Sequence, residues 1–491
     1  MSGGRPPEAR KAFAEGAARQ AAGDARGAVA AYHRAVSLDP HYAEAYCNLG
    51  LVLFELGARA PALAAYRAAL ALSPGFVEAH NNLGNALLRL DQPQQAAAHF
   101  RTAIALDPAR PQPHSNLGQA LLELGEPAAA EAAHRAALAL DAALPDAVND
   151  LGLALARQNR CEEALEQFER ALALAPETPR FAVNRALTLL KLGRFDEGWQ
   201  AYRSRWAARP AGDRQAFSQP EWEGGPLAGR TLLLYGEQGY GDSLQFVRLL
   251  SRLPRDGRVL LRLPGPLVRL LAGQGYPLAA VLDEALPPPP FDCHASLMDL
   301  ARLLRLELAD LPGPCPYLRA DAALQAAWRQ RLAALPGRKA GLVWAGNPRP
   351  WHDEASRLDR RRSLPPRLLE AALRGCPGLT LVSLQKEAAE RPNLPLRDWS
   401  AELSDFADTA ALVAALDLVV TVDTAVAHLA GALGKPVWIL SRFDGCWRWL
   451  RNRDDSPWYP TARLYRQTAP DDWTAPLARL RQDLEVFSAR G

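Results

Sequence analysis

Along the first 210 residues, small and bulky apolar positions return with a fixed period of 34. Gly16, Gly50, Gly84, Gly118 and Gly152 keep that spacing without a slip. Twelve residues after each comes an alanine (Ala28, Ala62, Ala96, Ala130, Ala164), and four further on a ring (Tyr32, Tyr66, Phe100, His134, Phe168). Prolines close units at Pro40, Pro74, Pro108 and Pro176, and a sixth unit fits with Ala186, Gly198, Tyr202 and Pro210. Such a period means stacked copies of one supersecondary unit. Small residues suit the close crossing of two antiparallel helices, and the ring fills the hole between neighbours. Proline ends the second helix because it cannot donate the helical hydrogen bond. No unit buries its apolar face alone, so stacking creates a shared core and a curved inner groove.

These co-registered positions resemble tetratricopeptide repeats over residues 9–212, which implies an α-solenoid, a TPR superhelix, that holds a partner. A polar row accompanies the core. Two residues before each repeat glycine, or its equivalent, stand Asn48, Asn82, Asn116, Asp150 and Asn184. The position is expected to face the groove, where an asparagine can both donate to and accept from a peptide backbone. The row resembles the asparagine ladder of O-GlcNAc transferase, which makes these five the expected acceptor-binding residues. An alternative of equal weight is that asparagine is simply common at this place in the repeat family.

After Pro210 the period stops and short apolar runs alternate with amphipathic helical patterns. Strands are predicted at Thr231–Tyr235, Arg258–Leu263, Ala340–Trp344, Leu379–Leu384, Leu418–Val422 and Val437–Leu440. Helices are predicted at Asp242–Arg252, Pro266–Gly273, Pro366–Arg374, Thr409–Leu416, Thr424–Leu433 and Trp473–Ala489. Strand–helix alternation implies parallel sheets. A helix near 321–339 joins two such sets, so two facing Rossmann-like domains with a cleft between them are expected, at 220–325 and 326–491.

Three segments carry candidate chemistry. In LLLYGEQGYGDSLQFVRLL a strand runs into Gly236, Gly239 and Gly241, and Asp242 opens a helix. Glycines allow a tight turn and close ligand approach, and the helix start offers free N–H groups, although an acidic residue there also serves as a simple cap. The loop lacks the lysine of a phosphate-binding GxxxxGK[ST], which disfavours an ordinary NTPase. In LDLVVTVDTAVAHLAGALGKPVWIL a strand ends at Asp423 and Thr424, and His428 follows one turn into a small-residue helix. That pattern suits a pyrophosphate held at a helix N-terminus, with His428 on the same side as Thr424. In GLVWAGNPRPWHDEASRLDRRRSLP a strand leads through Asn347 into Arg360, Arg361 and Arg362, side chains able to neutralise a diphosphate, or else a solvated basic loop.

Taken in order, GYGDSLQ, GLVWAGNP, VDTAVAHLAGALGKPVW and DSPWYP resemble the glycosyltransferase-B fold of the ADP-heptose–lipopolysaccharide heptosyltransferase family, glycosyltransferase family 9. More closely, the chain looks like bacterial proteins in which such a domain follows tetratricopeptide repeats. The resemblance implies Asp242 as general base. It implies donor contacts from Asp423, Thr424 and His428, with His428 also counted as catalytic; Gly239, Gly241, Asn347, Arg361 and Arg362 join them as candidate donor contacts on the reading of the two loops. It implies a nucleotide-diphosphate sugar as donor substrate, no separate cofactor, and inversion at the anomeric carbon. No D-x-D occurs in the chain, so no metal is expected to bridge the diphosphate. Trp447, Arg448 and Trp449, with Trp458 and Tyr459, are read as packing a crossing segment in preference to stacking on a base.

Composition narrows the partners. A net charge of +3 argues against nucleic acid, and no apolar run long enough for a membrane span appears. Six scattered cysteines without CxxC or zinc-like spacing, and an N-terminus without a signal-peptide core, are read as a cytoplasmic chain with free thiols. The expected partners are a nucleotide sugar and a protein or glycan acceptor in the groove; oligomeric state stays open. The competing expectation is an inactive scaffold that only senses a nucleotide sugar.

Overall fold

The structure, a computed structural model, describes residues 5–209, 215, 217–237, 239–346, 353–387 and 390–489. It divides into two compact units, Met1–Glu177 and Thr178–Gly491.

The first unit is all helical. Its pairs are α1 (Pro7–Ala21) with α2 (Ala25–Leu38), α3 (Ala43–Glu55) with α4 (Arg59–Leu72), and α5 (Val77–Arg89) with α6 (Pro93–Leu106). Two further pairs follow, α7 (Pro111–Glu123) with α8 (Pro127–Leu140), and α9 (Pro145–Arg157) with α10 (Cys161–Leu174). Each pair turns on a residue with left-handed backbone: Gly23, Gly57 and Gly125, with Asp91 and Asn159 in the two pairs that lack the glycine. This conformation closes the first helix of the pair by satisfying its last carbonyls.

The repeat glycines have a specific steric cause. A Cβ at Gly50 would lie 2.8 Å from the Tyr66 ring, at Gly84 2.6 Å from Phe100, and at Gly152 2.6 Å from Phe168. The ring of the second helix lies flat on the backbone of the first, and only glycine leaves room. Tyr32, Tyr66, Phe100, His134 and Phe168 are all buried.

The second unit begins with one more helical pair, α11 (Pro179–Lys191) and α12 (Phe195–Tyr202), followed by the short α13 (Arg205–Ala208). Their apolar face enters the core of the α/β part. Trp199 meets Phe246 edge-on at 5.7 Å and Trp447 at 5.2 Å, and Phe195 packs against Trp458. The sixth repeat is therefore built into this unit.

Next come β1 (Thr231–Tyr235), α14 (Tyr240–Phe246), β2 (Arg258–Leu263), α15 (Gly265–Ala272), β3 (Ala280–Asp283), β4 (Cys293–Ser296) and α16 (Leu300–Leu303). The strands form a parallel sheet in the order β3-β2-β1-β4. After α17 (Ala322–Ala333) follow β5 (Arg338–Val343), α18 (Asp353–Arg362), α19 (Pro366–Leu373), β6 (Leu379–Ser383), β7 (Leu396–Asp398) and α20 (Phe406–Ala415). The chain continues through β8 (Leu418–Val422), α21 (Ala425–Ala432), β9 (Val437–Ser441), β10 (Ala462–Arg466) and α22 (Thr474–Ala489). The second sheet, also parallel, runs β10-β9-β8-β5-β6-β7. The architecture is thus helical repeats followed by two parallel-sheet α/β layers.

β1, β2 and β8 match the expected spans; β1 and β8 are apolar runs buried on both faces, and β2 buries Val259–Leu261 and Leu263, its two arginines being less buried. β3, β4, β7 and β10 are additional. Cys-His-Ala-Ser in β4 carries no β-branched residue, and its extended form follows from pairing with β1.

Candidate active site at the facing edges of the two sheets

β1 ends at Tyr235, and its loop leads to Gly239, the exposed residue that opens α14 in extended backbone. α14 packs against α21, and the contact requires glycine: a Cβ on Gly241 would stand 2.8 Å from His428 Cδ2. The glycine loop of the first sheet and the Asp-Thr-x-x-x-His segment of the second therefore meet.

Asp242 sits in the first turn of α14, its side chain only 14% exposed. Its carboxylate accepts from the Arg448 guanidinium, which comes from the loop after β9. Arg448 Nε also donates to Gln245 Oε1 at 2.9 Å. Asp242 and Gln245, three residues apart, thus take one guanidinium on one helix face. Burial pushes the Asp242 carboxyl above its ordinary range against the pull of Arg448, and the charges of Glu237 and Asp423 add to the push.

His428 lies on α21 and is buried. Its Nδ1 is 2.8 Å from the Tyr459 hydroxyl, and its ring stacks on Trp449 at 5.3 Å. Burial, helped by the Arg448 charge, pushes its pKa down to about 3, so the imidazole is neutral at physiological pH. Thr424 is the N-cap residue of α21, yet its hydroxyl sits 3.0 Å from Thr421 Oγ1 and no side chain caps the helix. Ala427 N–H donates to the Thr424 carbonyl at 3.0 Å, so the N–H groups of Ala425 and Val426 are the ones placed to meet another acceptor. Asp423 and Thr424 are half-buried beside them.

Of the basic loop, Arg361 is ion-paired with Asp444 and Arg362 with Asp359. Asn347 lies outside the described residues. Among the described residues, no group of three or more His, Cys, Asp or Glu is arranged to hold a metal, all six cysteines are free, and no helix is long and apolar enough to cross a membrane.

The polar row is half-buried and partly spoken for. Asn48 donates to the Tyr32 hydroxyl (3.3 Å), Asn82 to Cys47 Sγ (3.6 Å) and Asn116 to Asn81 Oδ1 (2.8 Å). Asp150 departs from the groove-facing expectation: it is 4% exposed and accepts from Gln119 and Asn149, so its oxygens serve neighbouring helices. Burial raises its carboxyl above the usual range against those bonds. Asn184 lies on α11, in the second unit, where its backbone carbonyl accepts from Thr188.

Known families match segments of both the helical and the α/β parts. Tetratricopeptide-repeat families match residues 16–57, 43–76, 77–109 and 149–213, and glycosyltransferase family 9 (heptosyltransferase) matches residues 396–440. Over those residues the chain is similar to tetratricopeptide-repeat proteins and to family 9 glycosyltransferases. The segment matched to family 9 spans β7 to β9, including Asp423, Thr424 and His428. Protein FlbA of Caulobacter vibrioides is 30% identical over 309 residues, 56% of this chain and 50% of FlbA. The chain thus matches about half the length of that relative. Among solved structures, the MamA protein aligns at 25% identity (35% of this chain, 93% of MamA, TM-score 0.31). A thermophilic TPR protein from Thermus thermophilus aligns at 26% (37% and 99%, TM-score 0.33).

The sequence reading missed Arg448, Tyr459 and Glu237 as site residues. Arg448 and Tyr459 stand in an aromatic segment that reads as packing, and Trp447, Trp449, Trp458 and Tyr459 are indeed buried. A usable signal was the Asp-x-x-Gln pair on α14, whose spacing asks for a shared donor.

Proposed function

We propose that this chain transfers a sugar from a nucleotide-diphosphate sugar to an acceptor hydroxyl, with inversion and without a metal, while its repeats hold a protein or glycan acceptor. The observation that carries the reading is the meeting of the Gly241–Asp242 turn with His428 and the uncapped start of α21. The donor diphosphate takes the Ala425 and Val426 N–H groups at the start of α21 and the Thr424 hydroxyl, where the helix dipole favours negative charge. Neutral His428, fixed through Nδ1 by Tyr459, turns its other nitrogen toward the glycine loop as a hydrogen-bonding group. Asp242 takes the proton of the acceptor hydroxyl, whose oxygen bonds to the anomeric carbon from the face opposite the diphosphate. The bond to the diphosphate breaks, and the nucleoside diphosphate leaves with its developing charge stabilised by the helix start. One displacement inverts the configuration.

The test is release of nucleoside diphosphate from a panel of nucleotide sugars by wild type and Asp242→Ala. Loss of at least 100-fold in the variant is expected, since removing a positioned base forfeits about that much. Equal slow release by both proteins would remove the enzyme reading. A second reading, a scaffold that binds a nucleotide sugar without turnover, draws on one observation: the Asp242 carboxylate is already held by Arg448.

A further inference from the structure

A general base locked in an ion pair is a poor base, yet this pair is arranged to open. Arg448 and Thr424 come from segments following the neighbouring strands β9 and β8, so both emerge at the same sheet edge. The guanidinium lies over the Trp447 ring at 4.4 Å and bonds to Asp242, to Gln245 Oε1 at 2.9 Å and to Cys446 Sγ at 3.1 Å. Asp242 supplies the carboxylate among these hydrogen bonds, with the Asp423 charge acting on the guanidinium from further off. Arg448 and Asp242 are 12% and 14% exposed, so a phosphate arriving at the start of α21 would meet this cation in a poorly hydrated setting. There a bidentate phosphate competes well with a single carboxylate.

We propose that Arg448 is a donor-binding side chain parked on Asp242, and that a nucleoside diphosphate draws it away, freeing Asp242 to act as base only once the donor is seated. This rests on the transferase reading and adds to it an order of events, donor before acceptor, and a residue that enforces it. No bond other than hydrogen bonds changes in the exchange: Arg448 leaves one anion for another, and Asp242 is left buried beside the charges of Glu237 and Asp423.

The test is a double-mutant cycle on nucleoside diphosphate affinity in the full chain, measured calorimetrically with ADP, UDP and GDP. Wild type binds one of the three. Arg448→Gln is expected to weaken it at least tenfold, with Arg448→Lys intermediate. Asp242→Asn is expected to tighten it severalfold, because the competitor for Arg448 is gone. The deciding measurement is Asp242→Asn in the Arg448→Gln background, where the gain should vanish; double-mutant cycles isolate such coupling. If the gain persists there, Asp242 acts only by through-space repulsion and the exchange is overturned. It is equally overturned if Asp242→Asn alone leaves affinity unchanged, a result that needs no Arg448 variant to fold. If no nucleoside diphosphate binds wild type, the transferase reading itself falls, and the exchange with it.

Discussion

Arg205, which opens α13 just after the sixth helical pair, and Glu237, in the loop after β1, form a buried two-bond ion pair. Nε meets Oε2 at 2.9 Å and the second nitrogen meets Oε1 at 2.6 Å, with side chains 4% and 2% exposed. Asp299 and Ser296 join the cluster, and Arg209 approaches the second Glu237 oxygen at 3.5 Å from a more exposed position. Glu237 stands five residues before Asp242, so α13 holds the root of the loop that presents the candidate base.

Removing one partner of such a pair strands a buried charge, which costs about 3–5 kcal/mol. Arg205→Ala is expected to destabilise the second unit by that amount in denaturant unfolding. Adding Glu237→Gln should recover part of the loss, because the uncompensated charge is gone. A loss under about 1 kcal/mol would mean that water reaches Glu237.

His134 fills the hole that Tyr32, Tyr66, Phe100 and Phe168 fill in other repeats, and both its ring nitrogens are buried without a partner. Burial pushes its pKa down from 6.5 to about 4. The unfolded chain therefore binds the proton more readily than the folded one. Stability is full above pH 6.5 and is lost as pH falls toward about 4, by roughly 3 kcal/mol. His134→Phe should abolish that acid-sensitive step and raise stability at neutral pH by about 1–3 kcal/mol, the cost of an unsatisfied buried polar group. Thermal unfolding followed by far-ultraviolet circular dichroism across pH reads both effects.

Gly84→Ala would place a Cβ 2.6 Å from the Phe100 ring. Overpacking of this kind costs about 1–3 kcal/mol. In a Phe100→Leu background the same substitution should cost less, since the ring that forbids the methyl is absent. Additive costs in the unfolding free energies would point to a backbone cause instead.

With its pKa near 3, His428 does not change charge between about pH 5 and about pH 8. The rate of nucleoside diphosphate release should therefore show no limb belonging to this residue. A limb near pH 6.5 that disappears in His428→Gln would contradict the burial argument. Tyr459→Phe, which strips Nδ1 of its partner, should cost about 1–3 kcal/mol of stability.

Much of this molecule was legible in one dimension. The 34-residue period located the helix pairs, because stacked identical units must repeat the same contacts. The apolar runs of β1, β2 and β8 announced a buried parallel sheet, and the Gly-Asp and Asp-Thr-x-x-x-His segments were placed at strand ends. What the letters concealed depended on contacts between separate elements. β4 is extended only because β1 pairs with it, and the glycine period hid its reason, a ring lying on the facing backbone.

The sequence by itself determined the repeat scaffold, the α/β alternation and which segments carry chemistry, since periodicity and strand-end placement are properties of neighbours along the chain. The tertiary structure decided how charge is distributed among those segments. Arg448 lies 206 residues from Asp242, and Arg205 lies 32 from Glu237. No local pattern specifies a partner at such separations; the pairing follows from burial, which permits a charge only where the fold supplies its counter-ion.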